Sequence, residues 1–218
     1  VMGLIAQKPW TELSHIFKDA VAIDPTGNKA GLTEHNWYCN KIPDSANVDP
    51  VGTTTFNVST ELIMNPARSE YFGNGASYRN KDARIEADWD DGDLNINELQ
   101  YEPQKTNSTK YDVDFGFTVS VTGPEASVGI DVEAPKLKHK EYSDQPDKNV
   151  RTNWDFQGLF ECDKARCSRV TIGNSGVADA DEPSSSLVNI CPTLTESKYQ
   201  NLNGEVSSTF KYFNPRLL

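Results

Sequence analysis

Two successive segments between residues 111 and 133 alternate apolar and polar side chains with a period of two. The apolar positions are Tyr111, Val113, Phe115, Phe117, Val119 and Val121 in the first segment and Ala126, Val128, Ile130 and Val132 in the second. A period of two is typical of a strand with one buried face. If residues 122–125 form the loop, every apolar pair falls on the same face, whereas a shift of one residue separates them. The pattern therefore predicts a β-hairpin over residues 111–133.

The other face of this hairpin is polar. Asp114 lies opposite Glu133 in this register, with Asp112 and Asp131 beside them. Facing carboxylates repel each other, which indicates either a solvated strand end or a weak cation site. The remaining polar positions are small, at Thr118, Ser120, Ser127 and Gly129. This pattern is typical of an ordinary hairpin that packs on a core, and also of a hairpin that inserts into a membrane to line a pore.

Strand-like patterns recur along the chain and are separated by turn-rich segments. They occupy residues 54–64, 84–89, 94–101, 111–121, 126–132, 154–161, 168–172, 186–190 and 205–212. Short strands at this spacing are typical of an all-β domain. We therefore predict a mainly β fold, an antiparallel β-sandwich or jelly-roll-like single domain over residues 1–218.

A few segments fall outside the strand pattern. One short N-terminal helix is predicted, because apolar residues recur at helical spacing after a candidate N-cap at Thr11. These residues are Trp10, Leu13, Ile16, Phe17 and Ala20. Residues 24–52 are predicted to be irregular, and residues 136–151 and 173–186 to be long surface loops. Residues 1–8 are predicted to form an extended N-terminal arm.

The charge and hydropathy of the chain limit its partners. Its 218 residues include 32 Asp and Glu against 21 Lys and Arg, a formal net charge of −11. Binding to nucleic acid relies on clustered basic residues, which are scattered here, so no nucleic-acid partner is expected. No apolar run approaches the roughly 18 residues of a membrane-spanning helix. The chain begins with Val, and its apolar residues 1–6 are too short for a signal sequence, so a processed chain or an excised fragment is expected.

Four cysteines, Cys39, Cys162, Cys167 and Cys191, allow three disulfide pairings. None has the spacing of zinc ligands. Cys162 and Cys167 flank four residues between two strand-like runs, so a bridge there would close a hairpin tip. Cys39 would then pair with Cys191 across a long loop. Reduced, buried thiols in a cytosolic protein are the alternative.

Two sequons for N-glycosylation begin at Asn57 and Asn107. Asn57 falls on the polar side of the strand pattern at residues 54–64, so its side chain is expected to face solvent. Together with the cysteines, the sequons predict a glycoprotein that is extracellular or displayed at the cell surface.

Residues 88–98 resemble an EF-hand or dockerin-type calcium loop. Gly92 matches the turn glycine, Leu94 the apolar position and Glu98 the bidentate ligand six residues after the glycine. The oxygen ligands implied by this resemblance are Asp88, Asp90, Asp91, Asp93 and Glu98. The alternative is an acidic turn between two strands, for which Asp-Gly is a common signal.

Residues 173–176, with the sequence GNSG, resemble the nucleophile segment of chymotrypsin-like serine proteases. The resemblance implies Ser175 as nucleophile, His35 as base and an acid between residues 88 and 114, in that family's chain order of His, Asp and Ser. A plain surface loop rich in Gly and Ser is the alternative.

The sequence favours the hypothesis of a non-enzymatic structural or adhesive subunit that is secreted or displayed at the cell surface and stabilised by calcium. Residues 1–6 are expected to add as a strand to a neighbouring copy, which would give a homo-oligomer, a filament or a surface layer. A pore-forming protein that uses residues 111–133 and a chymotrypsin-like serine hydrolase are the alternative hypotheses.

Overall fold

The computed structural model describes residues 11–41, 53–67, 78–102, 120–122, 137–141, 147–156, 164–167, 169–181, 187–212 and 215–217. These parts are almost entirely β-strand. The strands are β1 (Thr11–Ile23), β2 (Lys29–Lys41), β3 (Thr53–Pro66), β4 (Arg79–Asp88), β5 (Ile96–Glu102), β6 (Ser120–Thr122), β7 (Leu137–Glu141), β8 (Asn149–Phe156), β9 (Arg169–Asp181), β10 (Leu187–Asn189), β11 (Thr193–Asn201), β12 (Gly204–Tyr212) and β13 (Pro215–Leu217). A single helical turn, α1 (Lys164–Cys167), precedes β9. Within these residues, no helix has the length and apolar character that crossing a membrane requires.

The strands form two large sheets in which every pairing is antiparallel. The first sheet has the order β1-β2-β3-β9-β5, and β6 also pairs with β9. The second sheet has the order β12-β11-β4-β8-β7, and β10 and β13 form a separate two-stranded sheet. The predicted antiparallel β-sandwich is thereby confirmed.

The core lies between the two large sheets and consists of two apolar clusters. Leu62, Met64, Ile85 and Trp154 are among the members of one, and Trp37, Phe56, Val58 and Trp89 among those of the other. The strand sequences explain why these side chains point inward. In β4, for example, Ala83, Ile85 and Ala87 are buried and alternate with partly exposed charged residues. Burial of each large apolar side chain contributes about 1.5–3 kcal/mol to stability.

The predicted N-terminal helix is wrong, because residues 11–23 form β1 and pair with β2 along its whole length. The helical spacing arose by combining residues from both faces of a strand. Ala22 is buried on the inner face, whereas Phe17 and Val21 lie on the other face and are 50% and 43% exposed. A register shift between Glu12 and Ser14 also changes the alternation within β1. Pairing with a long neighbouring strand outweighs a weak helical preference.

Three segments that were predicted to be loops contain strands. Residues 24–52 include β2, and residues 136–151 include β7 and the beginning of β8. Residues 173–181 of the predicted 173–186 loop are the second half of β9, which lies between β3 and β5. Small residues are required there, because a Cβ added to Gly176 would lie 2.8 Å from Nε1 of Trp89.

The predicted hairpin over residues 111–133 lies mostly outside the described residues. Its described part is β6, whose Ser120 and Thr122 are register partners of Thr171 and Arg169 at the start of β9. The proposed register between the two halves of the hairpin stays a prediction.

A line of hydrogen bonds, which we call the seam, joins the two large sheets. Thr33, His35 and Trp37 on β2 face Ser197, Thr195 and Thr193 on β11, and all six residues are buried. The Oγ1 atom of Thr33 lies 2.5 Å from Oγ of Ser197. The Nδ1 atom of His35 lies 2.9 Å from Oγ1 of Thr195, and Nε1 of Trp37 donates to Oγ1 of Thr193 at 3.0 Å. Each of the six seam residues thus has one side-chain hydrogen-bond partner on the opposite sheet.

Replacement of Thr33 by Val is expected to lower the free energy of unfolding by about 1–3 kcal/mol, because it leaves buried polar partners unsatisfied. The Thr33 hydroxyl also lies 2.7 Å from the hydroxyl of Tyr199. Urea denaturation at neutral pH measures the loss. The matched control is Thr209→Val on the exposed side of β12, which should change stability by less than about 0.5 kcal/mol. Equal losses in the two variants would contradict a stabilising role for the seam.

Candidate functional site

The first sheet has an outer face, which points away from the second sheet, and its centre is polar. Thr55, Asn57, Ser59 and Ser175, on β3 and β9, form what we call the polar patch. Their neighbours Phe56 and Val58 point the other way, into the core. A strand alternates its side chains between two faces, so the inward position of these two residues places the polar patch on the outer face.

Hydrogen bonds connect the polar patch internally. The Nδ2 atom of Asn57 donates to Oγ of Ser175 at 2.8 Å and to the carbonyl oxygen of Gly176 at 3.2 Å. The hydroxyls of Ser59 and Ser175 lie 2.8 Å apart. Thr55 donates to the carboxylate of Asp179 at 2.6 Å. The patch therefore satisfies much of its own hydrogen-bonding capacity.

The polar patch is buried although the second sheet covers only the opposite face. The four side chains are between 0% and 5% exposed. Side chains on the outer face of a two-sheet structure are ordinarily in contact with water, and small polar ones particularly so. These four side chains are therefore shielded from water on a face that the second sheet does not cover.

Towards β1 the outer face has the opposite character and is exposed and partly apolar. Phe17, Val21 and Ile23 are 50%, 43% and 57% exposed. The ring of His15 stacks on that of Tyr38 at 4.3 Å. Partial burial, together with the nearby carboxylates of Glu61 and Glu12, raises the pKa of Tyr38. Within the described residues β1 is the edge strand of the sheet.

The residues of the proposed serine-protease triad do not come together. His35 points into the seam, between the two sheets, whereas the hydroxyl of Ser175 belongs to the polar patch on the outer face. Their side chains lie on opposite sides of one sheet, so His35 cannot accept a proton from Ser175. This assignment of Ser175 and His35 is therefore wrong.

The acidic residues of the proposed calcium loop form a turn between β4 and β5. The Oδ1 atom of Asp88 accepts the backbone N–H groups of Asp90 and Asp91 at 3.2 Å. Asp93 accepts the backbone N–H of Asn189 at 2.5 Å, and Glu98 lies on β5. Partial burial is the main cause that raises the pKa of Asp88. In the described part of the chain, no three acidic, His or Cys side chains are grouped to hold a metal ion.

The predicted disulfide between Cys39 and Cys191 is absent, and both residues are buried thiols. They belong to the same apolar cluster. Burial and then the neighbouring Cys39 raise the pKa of the Cys191 thiol well above its usual value. Because the thiolate is the form that reacts to make a disulfide, this environment disfavours oxidation of the pair. Cys167 is disulfide-bonded, and its predicted partner, Cys162, lies outside the described residues.

The expected solvent exposure of Asn57 is wrong. Its side chain is buried in the polar patch, because β3 is a central strand whose outer face is covered. Asn107 lies outside the described residues.

Sequence reasoning missed the seam and the covered outer face. The seam had a readable signal, since polar residues alternate in both strands, at Thr33 and His35 in β2 and at Thr193, Thr195 and Ser197 in β11. No comparable signal revealed the cover over the polar patch, because an outward row of Thr, Asn and Ser is ordinary in a strand that faces water.

No protein-family model and no curated protein matches the chain. Among solved structures, Clostridium perfringens delta-toxin is similar at 10% identity and a TM-score of 0.46, over 95% of this chain and 90% of the toxin. A pore forming protein is similar at 9% identity and a TM-score of 0.43, over 94% of both chains. The collagen adhesin of S. aureus is similar at 10% identity and a TM-score of 0.29, over 96% of this chain and 79% of the adhesin. Likenesses at these levels assign no activity.

We predict that Asn57 carries no glycan in the folded protein, because a glycan would separate Asn57 from Ser175 and uncover the polar patch. The check is the mass of the protein secreted by a glycosylating host, before and after enzymatic removal of glycans. Asn57→Gln should leave the glycan mass unchanged, and Asn107→Gln should remove it if that sequon is used. A glycan at Asn57 in folded, monodisperse protein would contradict the prediction.

Calcium binding at the acidic turn stays a prediction, and the structure indicates which carboxylates to replace. Asp90 and Asp91 are exposed, whereas Asp88 accepts backbone N–H groups of the turn and Asp93 accepts that of Asn189 on β10. Binding to the native state raises the melting temperature in calcium above that in chelator. The variant Asp90→Asn/Asp91→Asn should abolish this difference, and Asp19→Asn, on β1, should retain it. The same melting temperature in calcium and in chelator for the unaltered protein would argue against the site.

Proposed function

We propose that the protein is a secreted pore-forming protein and that residues 111–133 insert into a membrane as a β-hairpin. The alternation in this segment supplies an apolar row for lipid and a row of small polar residues for a water-filled lumen. Its first half, residues 111–121, has the length of about 9–11 residues with which a tilted strand crosses a bilayer.

The observation that carries this proposal is the burial of the polar patch. A segment that leaves an apolar surface loses about 1.5–3 kcal/mol for each large side chain exposed. A segment that leaves hydroxyls and amides exchanges protein hydrogen bonds for hydrogen bonds to water, at a net cost of about 0.5–1.5 kcal/mol each. The cover over Asn57, Ser59 and Ser175 is therefore held weakly and is suited to release. We propose that release of such a cover accompanies insertion of the hairpin.

The attachment of β6 to the first sheet is consistent with release. Its residues are register partners of Arg169, Val170 and Thr171 only, at the beginning of β9. The rest of β9 is held by β3 on one side and, over residues 175–180, by β5 on the other. Loss of β6 therefore leaves the order β1-β2-β3-β9-β5 intact, and the sandwich can persist while the hairpin moves.

The second candidate function is the structural or adhesive subunit expected from the sequence. The observation that favours it is the exposed apolar row of Phe17, Val21 and Ile23 along the edge strand β1. An exposed, apolar edge strand is a template for pairing with another chain. Residues 1–6, the proposed donor, lie outside the described residues. Under this hypothesis, deletion of residues 1–6 should abolish self-association in sedimentation measurements. Dye release from liposomes by the unaltered protein then distinguishes the pore-forming hypothesis from this one.

The pore-forming proposal predicts that the two rows of the hairpin differ in their tolerance of charge. Val119→Lys places a charge on the lipid-facing row, where it costs about 2–4 kcal/mol near the bilayer centre. Thr118→Lys places the same charge one residue away, on the lumen row. Release of a trapped dye from neutral, anionic and sterol-containing liposomes should persist in Thr118→Lys and fall at least about tenfold in Val119→Lys.

Circular dichroism and the melting temperature of both variants establish that the soluble fold is retained. Dye retention by the unaltered protein in all three lipid compositions, or equal effects of the two substitutions, would contradict membrane insertion of the hairpin.

A further inference from the structure

His35 occupies an unusual position for a titratable side chain, because it is completely buried between the two large sheets. Its Nδ1 atom lies 2.9 Å from the hydroxyl oxygen of Thr195. The ring packs against Phe210 at 4.4 Å, with the two planes tilted by 58°. Within the described residues, its Nε2 atom has no hydrogen-bond partner. The site accommodates a neutral imidazole, and its described residues provide no hydrogen-bond acceptor for a second N–H group.

The charges around His35 would not stabilise a cation there. Lys18, its register partner on β1, is on the same face and would repel an imidazolium. On β3 the register partner is the apolar Leu62. Among the side chains that the structure describes, the other titratable group on the inner faces of the neighbouring strands is the neutral phenol of Tyr199 on β11. The carboxylates and remaining cations of these strands alternate to outward positions, at Asp19, Glu34, Glu61, Asp82, Arg84, Glu86, Glu196, Lys198, Glu205 and Lys211.

Protonation of His35 is therefore coupled to opening of the seam. Burial lowers the pKa of His35 from its ordinary value of 6.5 to about 4. Between these two values the open form binds a proton that the closed form does not, so acid favours opening. The contribution of neutral His35 to stability is complete above pH 6.5 and declines as the pH falls towards 4.

We propose that His35 makes the seam between β2 and β11 an acid-sensitive closure, so that mild acid separates this part of the first sheet from the second. This regulation is independent of membrane insertion. In the open form the imidazolium gains water, moves away from Lys18 or is screened from it, and releases Thr195. The seam residues Thr33 and Trp37 lose their partners on β11 at the same time.

The two buried thiols provide a built-in measure of this opening. Cys39 lies two residues after Trp37 on β2, and Cys191 lies two residues before Thr193 of β11. Both thiols are buried when the seam is closed. A thiol reagent that remains reactive in acid, 4,4′-dithiodipyridine, reports their accessibility between about pH 7.5 and pH 5. Peptide mapping assigns the labelled cysteine. The labelling rate of the protein is divided by that of a small thiol at the same pH, so that the intrinsic pH dependence of the reagent cancels.

The unaltered protein should be labelled about 30-fold faster at about pH 5 than at neutral pH, the factor by which the two protonation equilibria differ there. His35→Gln keeps an amide beside Thr195 but does not titrate in this range, and its normalised rate should not change with pH. His15→Gln, which makes the same change at the exposed His15, should behave as the unaltered protein does. Equal pH dependence in the unaltered protein and in His35→Gln would overturn the proposal.

A second measurement tests the proposal even if His35→Gln fails to fold. The imidazole resonances of the unaltered protein can be followed by NMR as the pH is lowered, with His15→Gln and His139→Gln used for assignment. His35 should remain neutral through the range in which the folded protein persists. Titration of His35 near 6.5 in the folded protein would overturn the proposal.

Discussion

The fold depends on one interaction, the direct hydrogen-bonded contact between β2 and β11 at the seam. The two apolar clusters lie on either side of a polar belt, to which Thr60 on β3 and Asn174 on β9 add buried polar side chains. Asn174 donates from its side chain to the backbone of Ile85 on the second sheet. Apolar side chains pack in many arrangements, but a hydrogen bond requires one partner at one distance. The polar belt therefore fixes how the two sheets are aligned, and the apolar clusters supply most of the stability.

The outer face of the first sheet reverses the usual distribution of polarity in two places. At Asn57 and Ser175 polar side chains are buried, whereas at Phe17 and Val21 apolar side chains are exposed. Neither arrangement maximises the stability of an isolated monomer, because the first forgoes apolar burial and the second leaves apolar area in water. Both are understandable if this face changes its contacts during function. The buried polar part of the face is suited to losing its contacts, and the exposed apolar part is suited to gaining contacts with another surface.

Much of the fold could be predicted wherever large apolar residues alternate with polar ones. This holds for β3 and β12, whose predicted and observed bounds largely overlap. It fails for β9, in which Gly173, Ser175 and Gly176 resemble a loop although they form a central strand. Their small size is a response to packing against Trp89 and to the covered outer face, and both constraints are set by residues far away in sequence.

The candidate sites were harder to predict than the strands, because a site depends on register between distant segments. His35 and Ser175 are compatible in chain order with a catalytic pair, yet they lie on opposite faces of one sheet. Asn57 was correctly placed on the outer side of its strand, but the sequence of β3 contains no information about what lies above it. Cys39 and Cys191 belong to one apolar cluster, but the disulfide predicted between them is absent, because the sequence does not show how deeply both thiols are buried.

The position of β9 in the first sheet constrains when the protein can fold. β9 joins β3 to β5, and β11 joins β12 to β4, so one inner strand of each sheet comes from the last quarter of the chain. A nascent chain that has reached residue 160 holds β1 to β8 but lacks β9, which attaches β5 to the first sheet, and β11, which forms the seam with β2. Since long-range strand pairing is slow and depends on the complete set of partners, the sandwich cannot close until synthesis is nearly finished. A chain that ends before β9 would therefore leave the inner faces of β2, β3 and β4 without the contacts that bury them.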